Sequence, residues 1–405
     1  MTLALFEAFG IEAEYMIVES DSLNIKSSTE NVLRAQNNGD LEDEVEVGEV
    51  SWSNELVSHV IEIKGNGPKK DLPKLEKDFH QSLLKINQHL ENEKAQLLPT
   101  AMHPWMNPYK ETKLWPHGSK EIYEAYNRIF NCQGHGWSNL QSVHINLPWK
   151  NDEEFGRLHA AVRLVLPLIP GMAASSPIVE NHLTSRPDNR LLFYHENQKA
   201  VPSITGAVIP EAIFTLQGYQ DLLKRIFRGI APHDPDKILQ HQWLNSRGAI
   251  NKFDLQAIEI RLMDIQECPH MDFAIIHFVV AFLKAMVSEK WIDLRSQKMF
   301  SEGDLRRVYD AQNSYLPVVD GKHYLQAMGI DKQRMPLRNL MDYLLNQLSS
   351  EIPKEYHSAL EIIMKDGHLS QRLRKTILDK DLQDLKPLYS LLGNHLKDNV
   401  PYQKM

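Results

Sequence analysis

Residues 10–18 of this chain read GIEAEYMIV, and this segment decides the fold prediction. A glycine opens the segment, and aromatic and β-branched residues are frequent in it, which predicts a β-strand over residues 11–18. Side chains two residues apart on a strand share a face, so Glu12 and Glu14 point the same way. Two carboxylates on one face of a buried strand repel each other and lose hydration, and a bound cation would remove both costs.

Three later segments repeat this design, with apolar residues on one face and ionisable residues on the other. Their ionisable residues are Glu62, with Glu55 seven residues earlier, in residues 60–63; His144 in residues 143–147; and Glu259 and Arg261 in residues 258–264. Each pattern by itself is more typical of a solvated face, a hydrogen-bonded pair or a cross-strand ion pair. If the four strands are neighbours, however, their polar faces form a basin of five carboxylates and one imidazole.

This donor set indicates the kind of ion that the basin would hold. Carboxylate oxygens with a single imidazole favour Mg²⁺ or Mn²⁺ over zinc, which prefers thiolates or more imidazoles. Five carboxylates exceed the need of one ion, so two or more are expected. Such ions keep water ligands and bind substrate phosphates, and Arg261 beside them is suited to hold a transferring phosphoryl group. The pattern therefore predicts a divalent-metal, phosphate-handling site.

Composition excludes other classes of function. The chain has 405 residues, of which 42% are hydrophobic, so it can bury a large core in one large domain or in two or three smaller ones. A net charge of −8 without a long basic run argues against nucleic acid or an anionic membrane as a partner. Cys132 and Cys268 are far apart and are expected to be reduced, which favours a cytoplasmic location. The longest apolar run, residues 273–287, is too short to span a bilayer and predicts a core helix.

Hydrophobic periodicity predicts an α+β fold with a largely antiparallel sheet. The expected strands cover residues 11–18, 57–64, 141–148 and 257–265, and the expected helices cover residues 72–90, 152–166, 219–228 and 273–290. Residues 40–50 are acidic and are expected to form a solvated loop or hairpin. Residues 98–118 predict an ordered loop, and residues 173–190 predict a functional loop. After residue 300 the pattern is helical, including residues 332–349, 353–365 and 381–396.

These residues together resemble the glutamate–cysteine ligase and carboxylate–amine ligase group of the glutamine-synthetase-like superfamily. The order and rough spacing of the motifs hold over residues 5–290. The matched motifs are, in chain order, Gly10-Ile11-Glu12-Ala13-Glu14, Ile61-Glu62-Ile63, His103-Pro104, Val143-His144-Ile145-Asn146, Ser176-Pro177 through Arg190, and Glu259-Ile260-Arg261-Leu262-Met263-Asp264. No single motif is specific, but their combination is.

The resemblance implies a glutamine-synthetase-like catalytic core over residues 1–290, in which a curved, largely antiparallel sheet forms a funnel packed by helices. It leaves residues 291–405 as a helical C-terminal region packed on this core. It also implies a distribution of metal ligands: one ion held by Glu12, Glu55, Glu62 and Glu259, a second by Glu12, His144 and Glu259, and a third, nearer the ATP phosphates, reached by Glu14.

The implied activity is ATP-dependent formation of an amide through an acyl phosphate, with Mg²⁺ or Mn²⁺, on small amino-acid substrates. Glutamate and cysteine are the first pair to expect, which would link the protein to glutathione biosynthesis. By resemblance, Glu259 and Arg261 are the catalytic residues. Their positive charge makes Arg190, Arg247 and Lys252 candidates to bind nucleotide phosphates or a substrate carboxylate.

Two other classes stay open at the level of sequence. A guanidino-type phosphotransferase would share the fold and also phosphorylate a small substrate with ATP. A non-catalytic homologue would keep nucleotide and metal binding and lose turnover. A homodimer is the expected oligomeric state if the chain assembles.

Overall fold

An eight-stranded sheet organises the fold. A computed structural model of the chain describes residues 2–380 and 383–403. The strands in these residues are β1 (Gly10–Glu19), β2 (Glu44–Val47), β3 (Val50–Asn54), β4 (Val60–Gly65), β5 (Ala95–Leu98), β6 (Ser142–Pro148), β7 (Ile178–Val179), β8 (His182–Leu183), β9 (Ala249–Lys252), β10 (Ala257–Asp264), β11 (Val318–Asp320) and β12 (Arg334–Pro336).

The large sheet has the order β2-β3-β4-β1-β6-β10-β9, with β5 also paired to β1. Every pairing within it is antiparallel. The four strands that carry the ionisable pattern are thus consecutive neighbours, β4-β1-β6-β10. Strands β7 and β8 form one small hairpin, and β11 and β12 form another two-stranded sheet. The predicted α+β class and antiparallel sheet are confirmed.

Helices surround this sheet. They are α1 (Thr29–Gln36), α2 (Leu72–Glu91), α3 (Pro108–Glu111), α4 (Lys120–Phe130), α5 (His135–Ser138), α6 (Asp152–Val165), α7 (Pro170–Ala173), α8 (Asn189–Glu196), α9 (Leu216–Ile230), α10 (Pro269–Val287), α11 (Leu294–Lys298), α12 (Glu302–Ala311), α13 (Lys322–Gln326), α14 (Leu337–Leu348), α15 (His357–Asp366), α16 (Leu369–Asp379) and α17 (Lys386–Asp398). Short 3₁₀ helices cover Leu166–Leu168, Gln242–Leu244, Ser349–Glu351 and Lys354–Tyr356.

The apolar face of the sheet forms the main core. Ile11, Ala13 and Tyr15 of β1 are buried together with Ile61 and Ile63 of β4. Helix α2 contacts β3, β4 and β5 on this side, α6 contacts β10, and α10 lies against both α2 and α6. Because side chains alternate along a strand, packing one face against helices leaves the opposite face for the ionisable residues.

Helix α10 differs from its prediction at both ends, since it ends at Val287 and not at residue 290. It begins at Pro269, before the predicted start at residue 273, because proline fits the first turn of a helix, where its missing N–H is not needed. At 19 residues it is long and apolar enough to cross a membrane. Its apolar window is 78% buried inside the protein, as expected of a core helix.

Other boundaries shift for local reasons. Residues 40–50 include β2 and the turn into β3, so the hairpin alternative is the one observed. The strand predicted from residue 57 begins at Val60 because Val57 bridges to Leu114 outside the sheet. The helix predicted over residues 381–396 begins at Lys386, and residues 381–382 lie outside the described part of the chain. Strands β5 and β9 and helices α4 and α8 were not predicted.

The C-terminal region packs on the sheet and its helices. Phe300, Leu344 and Leu360 belong to the same cluster of buried side chains as β1 and α10. A second cluster joins Met16 of β1 to Leu373 of α16 and to other C-terminal side chains. The boundary at residue 290 stays a prediction, and the shared core makes the two parts interdependent.

Truncation of a core leucine on α2 should destabilise the fold through both lost burial and a residual cavity. Leu83 is 0% exposed, and we expect Leu83→Ala to cost about 2–5 kcal/mol, seen as a lower midpoint of urea unfolding. Leu316→Ala is the matched control because Leu316 is 85% exposed, and it should change stability by less than about 0.5 kcal/mol. Equal midpoints for the two variants would contradict the assignment of the core.

Candidate active site

Strand register brings the predicted ionisable residues onto one face of the sheet. Glu14 lies opposite Glu62 in the pairing of β1 with β4. Glu12 lies opposite His144 in the pairing of β1 with β6, and Glu259 follows on β10, the next strand. We call this face the basin; its ionisable residues are Glu12, Glu14, Glu55, Glu62, Lys64, His144, Lys252, Glu259 and Arg261.

Two groups of possible metal ligands lie in the basin, and in each group the ligand atoms are within 4.8 Å of one another. One consists of Glu12, Glu62 and His144, and the other of Glu14, Glu55 and Glu62. The sequence-based division placed Glu55 with Glu12, Glu62 and Glu259, and which residues hold an ion stays a prediction. In the structure Glu14 faces Glu62 across the strand pair, and Glu62 is the residue that both groups share.

Glu12 and His144 form the charged pair at the centre of the basin. Glu12 Oε2 lies 3.2 Å from His144 Nδ1, and Asn146 Nδ2 donates to Glu12 Oε1 at 2.9 Å. Burial opposes ionisation of Glu12, but the hydrogen bond with His144 and the charge of Lys252 outweigh it and lower the pKa of the carboxyl. Burial also opposes a charged His144, and the hydrogen bond with Glu12 reverses this and raises the imidazole pKa.

Ser142 links His144 to Glu14. The Ser142 hydroxyl donates to Glu14 Oε2 at 3.0 Å, and the Ser142 backbone N–H donates to the same atom at 2.8 Å. His144 Nε2 lies 3.0 Å from the Ser142 hydroxyl oxygen. Because the hydroxyl proton is engaged by Glu14, Nε2 must donate to Ser142. Both ring nitrogens of His144 then act as donors, and the ring must release a proton before it can bind an ion.

Glu55 and Glu62 carry raised pKa values for the same reason. Burial raises the pKa of each carboxyl to about 8, assisted by the charge of Glu14 on Glu55 and by that of Glu12 on Glu62. Ser53 Oγ donates to Glu62 Oε1 at 2.9 Å, and Lys64 Nζ lies 3.6 Å from the same atom. The carboxyl groups of Glu55 and Glu62 are thus largely protonated at neutral pH.

Glu259 is paired with cations and belongs to neither ligand group. Arg261 Nε lies 3.1 Å from Glu259 Oε1, and Lys252 forms an ion pair with the other oxygen of Glu259. Lys252 Nζ also lies 3.8 Å from Glu12 Oε1. Lys252, predicted to contact phosphates, therefore stands between two carboxylates, and these charges outweigh burial and raise its pKa.

Lys64 is a basin residue that the sequence prediction missed. Its ammonium lies 2.8 Å from Glu44 and 3.6 Å from Glu62. It stands opposite Glu12 in the pairing of β1 with β4. The signal was available, because Lys64 follows Glu62 by two residues and so lies on the same face of β4.

A cavity of about 370 Å³ opens beside the basin. Its polar lining includes Glu14, Glu55, His144, Arg190 and Arg261. An aromatic wall faces these groups, contributed by Tyr123, Tyr126, Trp137, Tyr194 and Trp243. These five rings come from α4, α5, α8 and the 3₁₀ helix Gln242–Leu244, whose sequences show no distinctive pattern. Residues 98–118, which were predicted to form an ordered loop, do not line the cavity.

The other predicted cations have different surroundings. Arg190 is buried at the edge of the cavity and pairs with Asp264. Arg247 is not among the residues that line the cavity. Its guanidinium donates to Glu211 at 2.6 Å and to the Ile204 carbonyl at 3.1 Å. The positive charge of Arg247 was visible in the sequence, but its acidic partner on a distant loop was not.

His103, from the matched His-Pro motif, has a structural environment. The ring is fully buried, and its Nε2 lies 2.7 Å from the Leu23 carbonyl oxygen. Burial lowers the pKa of this histidine to about 4, so the ring is neutral. Its backbone N–H donates to Asn139 Oδ1 at 2.7 Å. This motif therefore supports the loop between β5 and α3.

Comparison with known proteins identifies the family of the chain. The model of the family described as Glutamate-cysteine ligase family 2 matches residues 8–385. A relative from Archaeoglobus fulgidus, itself described as an uncharacterized protein, is 31% identical over 359 residues, which is 89% of this chain and 90% of that protein.

Two solved structures share the fold. The glutamate–cysteine ligase of Francisella tularensis, in complex with AMP, has a TM-score of 0.62 at 13% identity and is matched over 96% of this chain and 88% of its own. A bifunctional glutathione synthetase of Pasteurella multocida has a TM-score of 0.60 at 13% identity, over 98% of this chain and 52% of its own. The α+β fold with its antiparallel sheet is that of glutamate–cysteine ligase structures, and the family model covers nearly the whole sequence. The chain belongs to Glutamate-cysteine ligase family 2.

Proposed function

We propose that this protein is an ATP-dependent carboxylate–amine ligase that forms an amide bond through an acyl phosphate. The observation that carries the proposal is the basin itself: two groups of hard ligands share Glu62 beside a cavity that Arg190 and Arg261 line. Family membership supports the same reaction class. A carboxylate reacts poorly with an amine until one oxygen is converted into a good leaving group, which phosphorylation achieves.

The donor atoms fit Mg²⁺ or Mn²⁺. Carboxylate oxygens with one imidazole nitrogen are suitable ligands for such ions. Glu14, Glu55 and Glu62 would hold one ion, and Glu12, Glu62 and His144 another. Bound ions would offset the repulsion between a substrate carboxylate and the γ-phosphate of ATP. Glu259 stays a predicted ligand at the Glu12 end of the basin.

The two ends of the basin are proposed to bind different substrates. Glu14 and Glu55 line the aromatic cavity, whereas Glu12 and Glu259 are not among its lining residues. We therefore assign the organic substrates to the Glu14 end and the nucleotide to the Glu12 end, where Lys252 supplies positive charge. This reverses the sequence-based expectation that Glu14 lies nearest the nucleotide.

Arg261 is the group proposed to stabilise the phosphoryl group during transfer. It lines the cavity beside Glu259, and although burial opposes its charge, the carboxylates of Glu259 and Glu14 help to raise the pKa of its guanidinium. A fixed guanidinium can bind two phosphoryl oxygens at once. The aromatic wall would exclude water, which otherwise hydrolyses an acyl phosphate.

The proposed substrates are small amino acids, with glutamate and cysteine as the first pair to test. Cys132 and Cys268 are both free and buried, which suits the proposed reducing, cytoplasmic location.

Release of ADP by purified protein with ATP, Mg²⁺ and pairwise combinations of amino acids tests the function directly. Turnover that requires both an acid and an amine would support a ligase. Phosphorylated product without an amine acceptor would indicate the phosphotransferase alternative instead. Binding of ATP without ADP release in any combination would indicate a non-catalytic homologue.

Binding of Mg²⁺ should tighten as the pH rises, because Glu55 and Glu62 must release protons to bind an ion. Both have a pKa raised to about 8, by burial first and by neighbouring carboxylates second. Since each displaced proton contributes up to ~10-fold in affinity per pH unit below the pKa, we expect affinity to rise at least ~10-fold between about pH 6.5 and pH 8. Isothermal titration calorimetry in ATP-free buffer measures this.

Thermal unfolding provides a second measurement of the pH dependence of Mg²⁺ binding. Between the ordinary value of 4.5 and about 8, the folded chain holds protons on these two groups that the unfolded chain has lost, so their contribution to stability falls as pH rises. The gain in Tm on adding Mg²⁺ should therefore grow with pH. The double variant Glu55→Gln, Glu62→Gln is the control and should lose this growth. A gain in the unaltered protein that does not change with pH would contradict the assigned pKa values.

Replacing Arg261 by lysine should lower kcat by at least ~10²-fold, because the charge is kept but the bidentate geometry is lost. Steady-state ADP release with a productive substrate pair measures the effect. Arg157→Lys is the matched control, since Arg157 pairs with Glu289 at the surface, and its kcat should be unchanged. Equal kcat for both variants would remove Arg261 from the mechanism.

A further inference from the structure

The spacing between Glu259 and Asp264 does not fit a regular strand. Glu259 lies opposite Asn146, and Asp264 lies opposite Ser142. Six residues of β10, 259–264, therefore span five residues of β6, 142–146. Positions five apart on a regular strand point to opposite faces, yet here both stand opposite positions of the basin face.

An extra residue in β10 resolves this difference. Ile260 pairs with Ile145 and Met263 pairs with Val143, so the register shifts between them as in a β-bulge. Arg261 begins the bulge. Regular alternation already places Arg261 on the face of Glu259. The bulge bends the strand at this point, so the backbone from which the Arg261 side chain extends is irregular.

The backbone of Arg261 is held on two sides. Its N–H donates to the Gly248 carbonyl at 2.9 Å. Its carbonyl oxygen accepts from both terminal nitrogens of Arg190, at 3.5 and 3.4 Å. The guanidinium of Arg190 is thus directed at the bulge, while its Nε donates to Asp264.

Asp264 in turn fixes Arg190. The two side chains are 0% and 2% exposed, respectively, so their charges must be satisfied within the protein. The second oxygen of Asp264 accepts the Ser175 N–H at 2.9 Å and the Ser176 hydroxyl at 3.3 Å. Ser176 Oγ accepts the backbone N–H of Arg190 at 3.1 Å. One carboxylate thereby joins the end of β10 to the loop that precedes α8.

We propose that Arg190 and Asp264 are positioning residues for Arg261: Asp264 orients Arg190, and Arg190 holds the irregular backbone at Arg261, from which the Arg261 side chain extends over the basin. On this proposal Arg190 acts through Arg261 and not by binding phosphate itself. The catalytic meaning of Arg261 rests on the proposed function, but the dependence of its orientation on Arg190 and Asp264 does not. The spacing Glu259-x-Arg261-x-x-Asp264 follows from the bulge, because one extra residue returns Asp264 to the basin face.

An NMR measurement tests the orientation without any substrate. In protein labelled with ¹⁵N-arginine, the Nε–H signal of Arg261 is assigned by its loss in Arg261→Lys. Arg190→Lys and Asp264→Asn should shift or broaden this signal. The matched controls are Arg372→Lys and Glu267→Gln. Arg372 and Glu267 form another buried ion pair, 1% and 0% exposed, and Arg372 also donates to a backbone carbonyl.

The controls should leave the Arg261 signal unchanged, since they alter a buried pair away from the cavity lining. An unchanged Arg261 signal in folded Arg190→Lys and Asp264→Asn would overturn the proposal. Thermal unfolding of every variant shows which of them is folded, and either of the two positioning variants is sufficient for the test.

Kinetics provide a second test where turnover is found. If Arg190 acts through Arg261, the double variant Arg190→Lys, Arg261→Lys should have a kcat within about threefold of Arg261→Lys alone. Arg190→Lys by itself should lower kcat and leave the KM for ATP within about threefold. Multiplicative losses of kcat, or a KM for ATP raised tenfold or more, would show a direct role for Arg190 and overturn the proposal. A complete absence of turnover in the unaltered protein would count against the proposed function, while the NMR result still decides the role of Arg190.

Discussion

The burial of several carboxylates on one face of an antiparallel sheet is the constraint on which the rest of the structure depends. Glu14 faces Glu62 directly across β1 and β4, and Glu55 adds a third carboxyl group nearby. Such an arrangement is costly, because burial and mutual repulsion both oppose ionisation. The pKa values of Glu55 and Glu62, raised to about 8, reflect this cost.

The surrounding residues offset part of that cost and leave the remainder for a ligand. His144 and Lys252 stabilise a negative Glu12, and Lys64 lies beside Glu62. Arg261 and Lys252 neutralise Glu259. Glu55 and Glu62, whose pKa values are raised to about 8, keep their protons near neutral pH until a cation binds. A face built in this way has a physical reason to bind divalent cations, and the adjoining cavity provides room for the molecules on which they act.

Prediction from sequence succeeded where the periodicity was strong. The strands β1, β6 and β10 alternate clearly, because each has one face in the core and the other in the basin, and their α+β sheet was predicted. Strands β5 and β9 were missed because they are four residues long and too short to show a period. Helix α10 was recognised as a core helix, but its start depended on Pro269 in the first turn, which hydrophobicity does not report.

The sequence by itself determined which side chains are available: alternation placed Glu12, Glu14, Glu62, His144 and Glu259 on polar strand faces, a set that predicts a cation-binding site. The tertiary structure decided how these groups are shared. Register set Glu62, and not Glu12, between the two ligand groups, a bulge returned Asp264 to the basin face, and Glu211 engaged Arg247 away from the cavity. Register, bulges and distant ion pairs arise from contacts between segments remote in the chain, and no local pattern encodes them.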